Sequence, residues 1–282
     1  MTPPPVRGLR PDGTIAREGS TDRVHAAFTP VVETLRTRLH QVFGPRMHSA
    51  YLYGSIPRGT AVPGVSDLDA LVALHTDPTP ADRDRARALL EEIDTDFPQV
   101  DGGGILLDGV PTLTSELERH DSGFFVACLC TPLTGPDLAR QLPRYRPTSL
   151  LARETNGDLH LTLRRWRTRL AEATTDDQLR ALSRGVSRRL TRTGLTLVMP
   201  AWGGWTSDLT LAAEVFGHYH PGRHEQMRAA AHTARHPSAD RDHLVDLLED
   251  LAPWLAEGYT ATRRRARGPR RIPTGAVVAN RS

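Results

Sequence analysis

The sequence has 282 residues, of which 38% are hydrophobic and 24% charged, a balance typical of a folded globular protein of one large or two modest domains. Its longest strongly apolar run, 124–130, is too short for a membrane-spanning helix, and the Pro- and Arg-rich start argues against a secretory signal. The two cysteines, Cys128 and Cys130, both lie in that run. Two neighbouring buried thiols favour a reducing compartment, so we expect a cytoplasmic protein.

All 36 basic residues are arginines, which excludes a lysine nucleophile or Schiff base. The net charge of +3 is unevenly distributed along the chain. Residues 261–282 carry seven arginines and no acidic residue, whereas residues 44–143 carry seven arginines and fifteen acidic residues, net −8. Residues 164–192 have a net charge of +6. This layout is not typical of a dedicated nucleic-acid-binding protein, and we expect neither nucleic acid nor a membrane as a partner.

Residues 1–20 are rich in proline and glycine, and they predict a flexible N-terminal segment. Apolar residues at helical spacing predict a first helix over 24–42. Thr79, followed by Pro80, predicts the start of another helix, because threonine caps helices well and proline suits the first helical turn. Strands are predicted at 48–53, 67–74, 100–107 and 124–130, with a short helix at 112–120.

This alternation of strands and helices predicts an α/β domain over residues 21–143. From residue 144 the strand signal disappears, and helical spacing predicts an all-α domain over residues 144–260. Thr175 and Gln178 form a capping box at the start of one of its helices. Residues 261–282 are basic and lack apolar periodicity, which predicts a flexible tail.

The segment from Tyr51 to Leu74 carries the most informative pattern. A predicted strand ends at Gly54-Ser55, where small side chains allow backbone N–H groups to approach an anionic ligand. Asp67 and Asp69 then begin a second apolar strand, and residues two apart on a strand face the same side. Two adjacent carboxylates repel each other unless a cation lies between them, and Mg²⁺ is the divalent ion that prefers such oxygen ligands beside phosphates.

In this order of motifs the chain resembles the nucleotidyltransferase superfamily typified by DNA polymerase β, whose signature is Gly-Ser, a spacer and Asp-hydrophobic-Asp. The specific match covers 51–74, and a looser likeness extends to about residue 137. The form Gly-Ser-Ile-Pro-Arg-Gly at 54–59 is similar to the branch that acts on small molecules, which includes the aminoglycoside nucleotidyltransferases. The resemblance implies an α/β (α+β) catalytic domain with a mixed sheet, followed here by the helical domain.

The resemblance also implies a reaction, the transfer of a nucleoside monophosphate, AMP from ATP, to a hydroxyl of a small molecule with release of pyrophosphate. Two Mg²⁺ ions would be held by Asp67, Asp69 and a third carboxylate on a later strand. Asp101 is the best match for this third catalytic and metal-binding residue, although three glycines follow it directly. Asp108 and Glu116 are the alternatives.

Further binding roles follow for residues inside and outside the motif. Gly54 and Ser55 are expected to bind triphosphate oxygens, and Arg58 either contacts phosphate or is a solvated turn residue. Beyond the catalytic domain, Trp202, Trp205 and Asp208 could form an acceptor site, with the indoles as an aromatic wall for a cationic aminoglycoside. The alternative for these three residues is a packed loop between helices.

Two other activities remain open at the level of sequence. An antitoxin-like nucleotidyltransferase would modify or bind a partner protein, and a third class would modify nucleic-acid ends. The large helical domain favours a self-contained enzyme over the first, and the acidic 44–143 region argues against the second. The expected partners are therefore a nucleoside triphosphate and a small-molecule acceptor, and the sequence does not indicate an oligomeric state.

Overall fold

The computed structural model describes residues 3–263 and 276–279 of the chain. The described residues form two compact units, which we describe separately. One contains residues 16–145 and 276–279, and the other contains residues 3–15 and 146–263. The first unit holds the sheet, and its boundary at Tyr145 lies two residues beyond the position expected from the sequence.

The sheet unit contains five strands and five α-helices among its described residues. The strands are β1 Met47–Tyr53, β2 Leu68–Leu74, β3 Gly103–Gly109, β4 Thr131–Thr134 and β5 Ala276–Ala279. The helices are α1 Thr29–Phe43, α2 Ser55–Arg58, α3 Pro80–Asp96, α4 Val110–Leu113 and α5 Ser122–Phe124. A π-helical turn, Phe125–Leu129, continues α5.

The sheet is mixed, in the order β4-β1-β2-β3-β5, as the resemblance implied. β1 pairs antiparallel with β2 and β4, while β2 and β3 run parallel and are connected through α3. Thr79 caps α3 in a reciprocal capping box with Asp82, and Pro80 occupies its first turn, as predicted. Because β2 and β3 are parallel, both strands begin at the same end of the sheet.

The two faces of the sheet are covered differently. One face packs against α1 and α3 through alternate apolar residues, among them Leu52, Leu68 and Ile105. The opposite face carries Tyr51 and Leu71, which pack against the segment around the π-helical turn. Because side chains alternate between faces, a residue next to Leu68 in β2 belongs to the second face.

The strand predicted over 124–130 is wrong. Residues Ser122–Leu129 are helical, and the strand that follows is Thr131–Thr134. A continuous apolar run carries no period, so it fits a buried strand and a buried helix equally well. The predicted helix at 112–120 is also shorter and earlier, because α4 ends at Leu113.

The flexible N-terminal segment predicted over 1–20 is contradicted by the structure in its described part. Leu9 and Ile15 form a β-bridge, and the side chain of Ile15 is fully buried. The Glu18 amide donates a hydrogen bond to the Cys128 carbonyl oxygen at 2.9 Å. Proline and glycine here shape a folded extended segment rather than a disordered one.

Residues 146–263 of the second unit contain helices joined by loops and no strand, which is the all-α character expected from the sequence. Its helices are α6 Ser149–Asn156, α7 Leu159–Glu172, α8 Asp176–Trp202, α9 Leu209–Tyr219, α10 His224–Thr233, α11 Arg241–Asp246 and α12 Ala252–Arg263. A π-helical turn, Leu247–Leu251, joins α11 to α12. Thr175 caps α8 in the predicted capping box. None of the helices over the described ranges is long and apolar enough to cross a membrane.

The flexible tail predicted over 261–282 is also corrected in part. Helix α12 extends to Arg263, and Ala276–Ala279 forms β5, which pairs antiparallel with β3. Val277 and Val278 favour a strand because valine has a high β-propensity. The prediction of a flexible tail rested on the many arginines of this region and overlooked these two residues. The remainder of the predicted tail lies outside the described residues.

Candidate active site

The Gly54–Ser55 turn follows β1 directly. Gly54 adopts φ 84°, a conformation that L-residues rarely adopt, and the short helix α2 begins at Ser55. A Cβ atom on Gly54 would lie 2.9 Å from Oδ2 of Asp69. The backbone conformation therefore favours glycine, and the Asp69 carboxylate packs closely against this position.

Asp67 and Asp69 stand at the start of β2. Asp69 is directly opposite Tyr53 in the antiparallel β1–β2 pair, and both aspartates are half-buried. Leu68 between them is 1% exposed and packs into the core on the other face. This alternation is the arrangement that the sequence predicts, with Leu68 in the core and Asp69 on the opposite face beside the turn.

An aromatic pair lies beside Asp69 on the same face of the sheet. The ring of Tyr53 meets the ring of Phe125 edge to face, with centroids 5.0 Å apart. Both residues are half-buried. The sequence placed Phe125 in a strand, so its position beside the motif was not predicted.

The donor chemistry of this site fits a hard divalent cation. Asp69 provides carboxylate oxygens next to the Gly54 turn, and Asp67 lies two residues before it in the chain. Mg²⁺ in proteins commonly uses one or two carboxylates together with substrate phosphates. Within residues 3–263, no three His, Cys, Asp or Glu side chains lie together in a group able to hold a metal. Asp67, Asp69 and Asp101, which were expected together as metal ligands, therefore do not form such a group among the described residues.

Asp101 lies just before β3, in an exposed loop rather than on a strand. The Asp101 amide donates a hydrogen bond to the Ser66 carbonyl oxygen at 3.1 Å. Asp101 therefore lies at the same end of the sheet as Asp67. Gly102 follows with φ 80°, and a Cβ on Gly103 would lie 2.1 Å from the Leu68 carbonyl oxygen. The three glycines thus let β3 begin close beside β2, and Asp101 remains a prediction as the third carboxylate.

The two alternatives to Asp101 have different surroundings. Asp108 is level with Ala73 of β2, four residues beyond the position level with Asp69, or about 13 Å along the strand. Burial raises the pKa of Asp108, and the carboxylates of Asp77 and Glu118 raise it further. The Glu116 side chain forms an ion pair with Arg119 in the turns after α4. The strand register therefore favours Asp101 over Asp108 as the neighbour of the aspartate pair.

Arg58 ends the turn helix α2, and its guanidinium lies 3.8 Å from the carboxylate of Glu18. Its side chain is 30% exposed, so it is neither a fully solvated turn residue nor an unopposed phosphate ligand. Sequence reasoning missed Glu18. No local pattern links it to a turn some forty residues further along the chain.

The acceptor site predicted at Trp202, Trp205 and Asp208 is not supported by their surroundings. The two indoles are 4% and 7% exposed, and Trp202 Nε1 donates a hydrogen bond to the Pro4 carbonyl oxygen at 2.9 Å. Asp208 caps α9 by accepting from the Leu211 amide at 3.0 Å. These residues form the packed loop that was the alternative, since no broad indole face is left for a ligand.

Comparison with known proteins finds a similar fold but no matching sequence family. No protein-family model matches the chain, and no curated protein sequence matches it. Its fold resembles that of a solved adenyltransferase. A similar solved structure is the spectinomycin adenyltransferase AAD(9) from Enterococcus faecialis, determined with ATP and spectinomycin. The TM-score is 0.53 at 12% identity, over 82% of this chain and 98% of that one. The fold class expected from the sequence is thereby confirmed.

Proposed function

We propose that this protein is a Mg²⁺-dependent nucleotidyltransferase that transfers AMP from ATP to a hydroxyl of a small, cationic acceptor. The observation that carries the proposal is the contact between the Gly54 turn and the Asp69 carboxylate at the start of β2. This closeness supports the proposal of a phosphate-binding turn beside a metal-binding carboxylate. The shared fold with an adenyltransferase supports it independently.

Each residue of the motif receives a distinct task. Gly54 and Ser55 bind the β- and γ-phosphate oxygens, through close backbone approach and the Ser55 hydroxyl. Asp67 and Asp69 hold Mg²⁺, which when bound neutralises phosphate charge and makes the acceptor hydroxyl easier to deprotonate. Asp101 is our candidate for completing the site on the acceptor side. A second Mg²⁺ is part of the proposal.

The reaction forms a bond between the acceptor oxygen and the α-phosphorus. The bond from the α-phosphorus to the bridging oxygen breaks, and pyrophosphate leaves with that electron pair. The acceptor proton passes to a nearby carboxylate, for which Asp101 is the candidate. Holding both reactants in line at the start of β2 lowers the barrier by converting a bimolecular encounter into an oriented one.

A cationic acceptor is favoured by charge. Residues 44–143 carry a net charge of −8, and the Mg²⁺ ions and nucleotide phosphates largely cancel each other. The fold neighbour was solved with spectinomycin, which makes this compound and the aminoglycosides the first acceptors to test. We expect the activity in the cytoplasm, where ATP is available.

The test is pyrophosphate release from ATP and Mg²⁺ with spectinomycin and a panel of aminoglycosides, together with thermal unfolding in ATP and Mg²⁺. Ligand at a hundred times its Kd should stabilise the protein by about 2.7 kcal/mol. Asp69→Asn should lower turnover at least a hundredfold, on the order of the loss of one metal ligand, while remaining folded.

Asp84→Asn is the matched control, because Asp84 is an exposed carboxylate on α3 that pairs with Arg87 at 3.0 Å. Near-normal turnover in Asp69→Asn would contradict the metal-site assignment. Labelling of a protein or an RNA, with no small molecule modified, would overturn the acceptor class but not the transfer chemistry.

A further inference from the structure

Residues 17–23, which we call the strap, contact the end of helix α2, which begins at the Gly54–Ser55 turn. The Ser20 amide donates a hydrogen bond to the Pro57 carbonyl oxygen at 2.9 Å, so the strap lies against α2. A Cβ on Gly59, directly after α2, would lie 2.9 Å from the carbonyl oxygen of Arg23. The strap therefore contacts Pro57 within α2 and Gly59 directly after it.

The strap is also held by residues 128–137 of the sheet unit. Arg17 donates to both carboxylate oxygens of Asp137, at 2.9 and 3.0 Å, and the Glu18 amide donates to the Cys128 carbonyl oxygen at 2.9 Å. A Cβ on Gly19 would lie 2.3 Å from Oγ1 of Thr131. Because its backbone is held on both sides of Glu18, that side chain has little freedom to leave the turn.

Glu18 brings a negative charge to the nucleotide-binding turn. Its side chain is only 12% exposed, and its carboxylate lies 3.8 Å from the Arg58 guanidinium. At that distance the contact is electrostatic rather than a hydrogen bond. Water screens a mostly buried charge less than an exposed one, so the Glu18 carboxylate is screened less from Arg58 than a fully exposed carboxylate would be.

We propose that Glu18 sets the affinity of the nucleotide site, because its carboxylate competes with phosphate groups for Arg58. This inference rests on the proposed function, which places the triphosphate at the Gly54–Ser55 turn. A phosphate that approaches Arg58 also approaches Glu18, and the like charges repel. The competition weakens the binding of both nucleoside triphosphate and pyrophosphate, so the product leaves the site more readily.

The test is the isosteric substitution Glu18→Gln, measured in the full-length protein. The Kd and KM for ATP and the inhibition constant of pyrophosphate should each fall roughly threefold, as expected for one partly buried charge contact. The gain should shrink at high salt because screening weakens the repulsion in the wild-type protein. A substitution with a purely structural effect would not tighten binding of the substrate and the product together.

Two further variants isolate the role of Arg58. Arg58→Gln should weaken ATP binding, and adding Glu18→Gln to Arg58→Gln should bring little further change, because the two residues act through one contact. Glu92→Gln is the matched control, since it removes the same charge from a partly exposed ion pair with Arg38 at 3.2 Å. It should leave ATP affinity unchanged.

Three results would overturn the inference. The first is a folded Glu18→Gln protein that keeps the turnover of the wild type but binds ATP with unchanged or weaker affinity. The second is an equal gain in the Arg58→Gln background, which would exclude Arg58 as the mediator. The third is a wild-type protein that binds no nucleoside triphosphate, and that result alone would also overturn the proposed function.

Discussion

At the scale of single residues, the close packing of Gly54 against the Asp69 carboxylate constrains both residues. The carboxylate occupies the space in which a Cβ of residue 54 would lie, and the positive φ of Gly54 turns the chain away from β1 at that point. Neither feature is sufficient alone, because a glycine turn without the carboxylate has nothing to hold a cation. The proposed metal and phosphate site therefore depends on both residues.

Asp108 gives a prediction about stability at the same scale. Burial raises the pKa of this carboxyl above its value in the unfolded chain, so the folded state binds the proton more tightly. The Asp108 carboxyl group therefore contributes to the free energy of unfolding at low pH, and this contribution is lost as the pH rises through the raised pKa.

Asp108→Asn removes the buried charge and can keep the hydrogen bond that the Gly109 amide donates to Oδ1 of residue 108 at 2.8 Å. We expect the variant to unfold on the order of 1 °C above the wild type at pH 7, with the difference vanishing below pH 4. Thermal unfolding from pH 3.5 to 8 measures it. A difference that grows toward acid pH would contradict the assignment.

At the scale of elements, the loop before α9 shows how a tryptophan-rich segment serves packing. The Trp205 amide donates a hydrogen bond to the Arg7 carbonyl oxygen at 3.0 Å, and a Cβ on Gly8 would lie 2.2 Å from the Trp205 carbonyl oxygen. The N-terminal residues thus complete the environment of the indoles within their own unit. Asp208 then begins α9 as its capping residue.

Asp208→Ala should therefore lower the free energy of unfolding by about 1 kcal/mol through loss of the cap. Asp208→Asn, which can still cap, should retain most of that stability. Neither substitution should change the KM for a cationic acceptor. Denaturant unfolding and steady-state kinetics on both variants measure these effects, and a selective rise in that KM would restore Asp208 as an acceptor residue.

Local rules predicted the elements in which neighbouring residues carry the signal. β1, the Gly54–Ser55 turn, β2 and the capped start of α3 were expected at their observed positions, because alternation, glycine and capping act over a few residues. The helix at 122–129 was missed because its apolar run has no period. Glu18 was missed because only the folded chain brings it to Arg58.

At the scale of the whole molecule, charge is divided between regions of the chain. Residues 44–143 are net acidic, whereas residues 164–192 are net basic. Several of the basic residues pair locally, as Arg180 does with Asp176 and Asp177. The excess negative charge of residues 44–143 is expected to attract cations over roughly one Debye length.

This charge distribution predicts the salt dependence of the proposed reaction. The KM of a cationic acceptor should rise several-fold between low and high ionic strength, because salt screens its attraction to the acidic unit. Initial rates with spectinomycin or an aminoglycoside, measured from 20 to 500 mM salt, give the trend. An acceptor KM that falls with salt would indicate an anionic acceptor instead.

The strap also bears on the order in which the protein folds. The turn and the aspartate pair belong to neighbouring antiparallel strands joined by one loop, so their contacts close a short stretch of chain. Arg17 and Asp137, by contrast, are 120 residues apart. Contacts of such sequence separation are entropically costly to form early. We therefore expect the β1–β2 contacts beside the turn to form before Arg17 binds Asp137, so that the strap is fixed in place only late in folding.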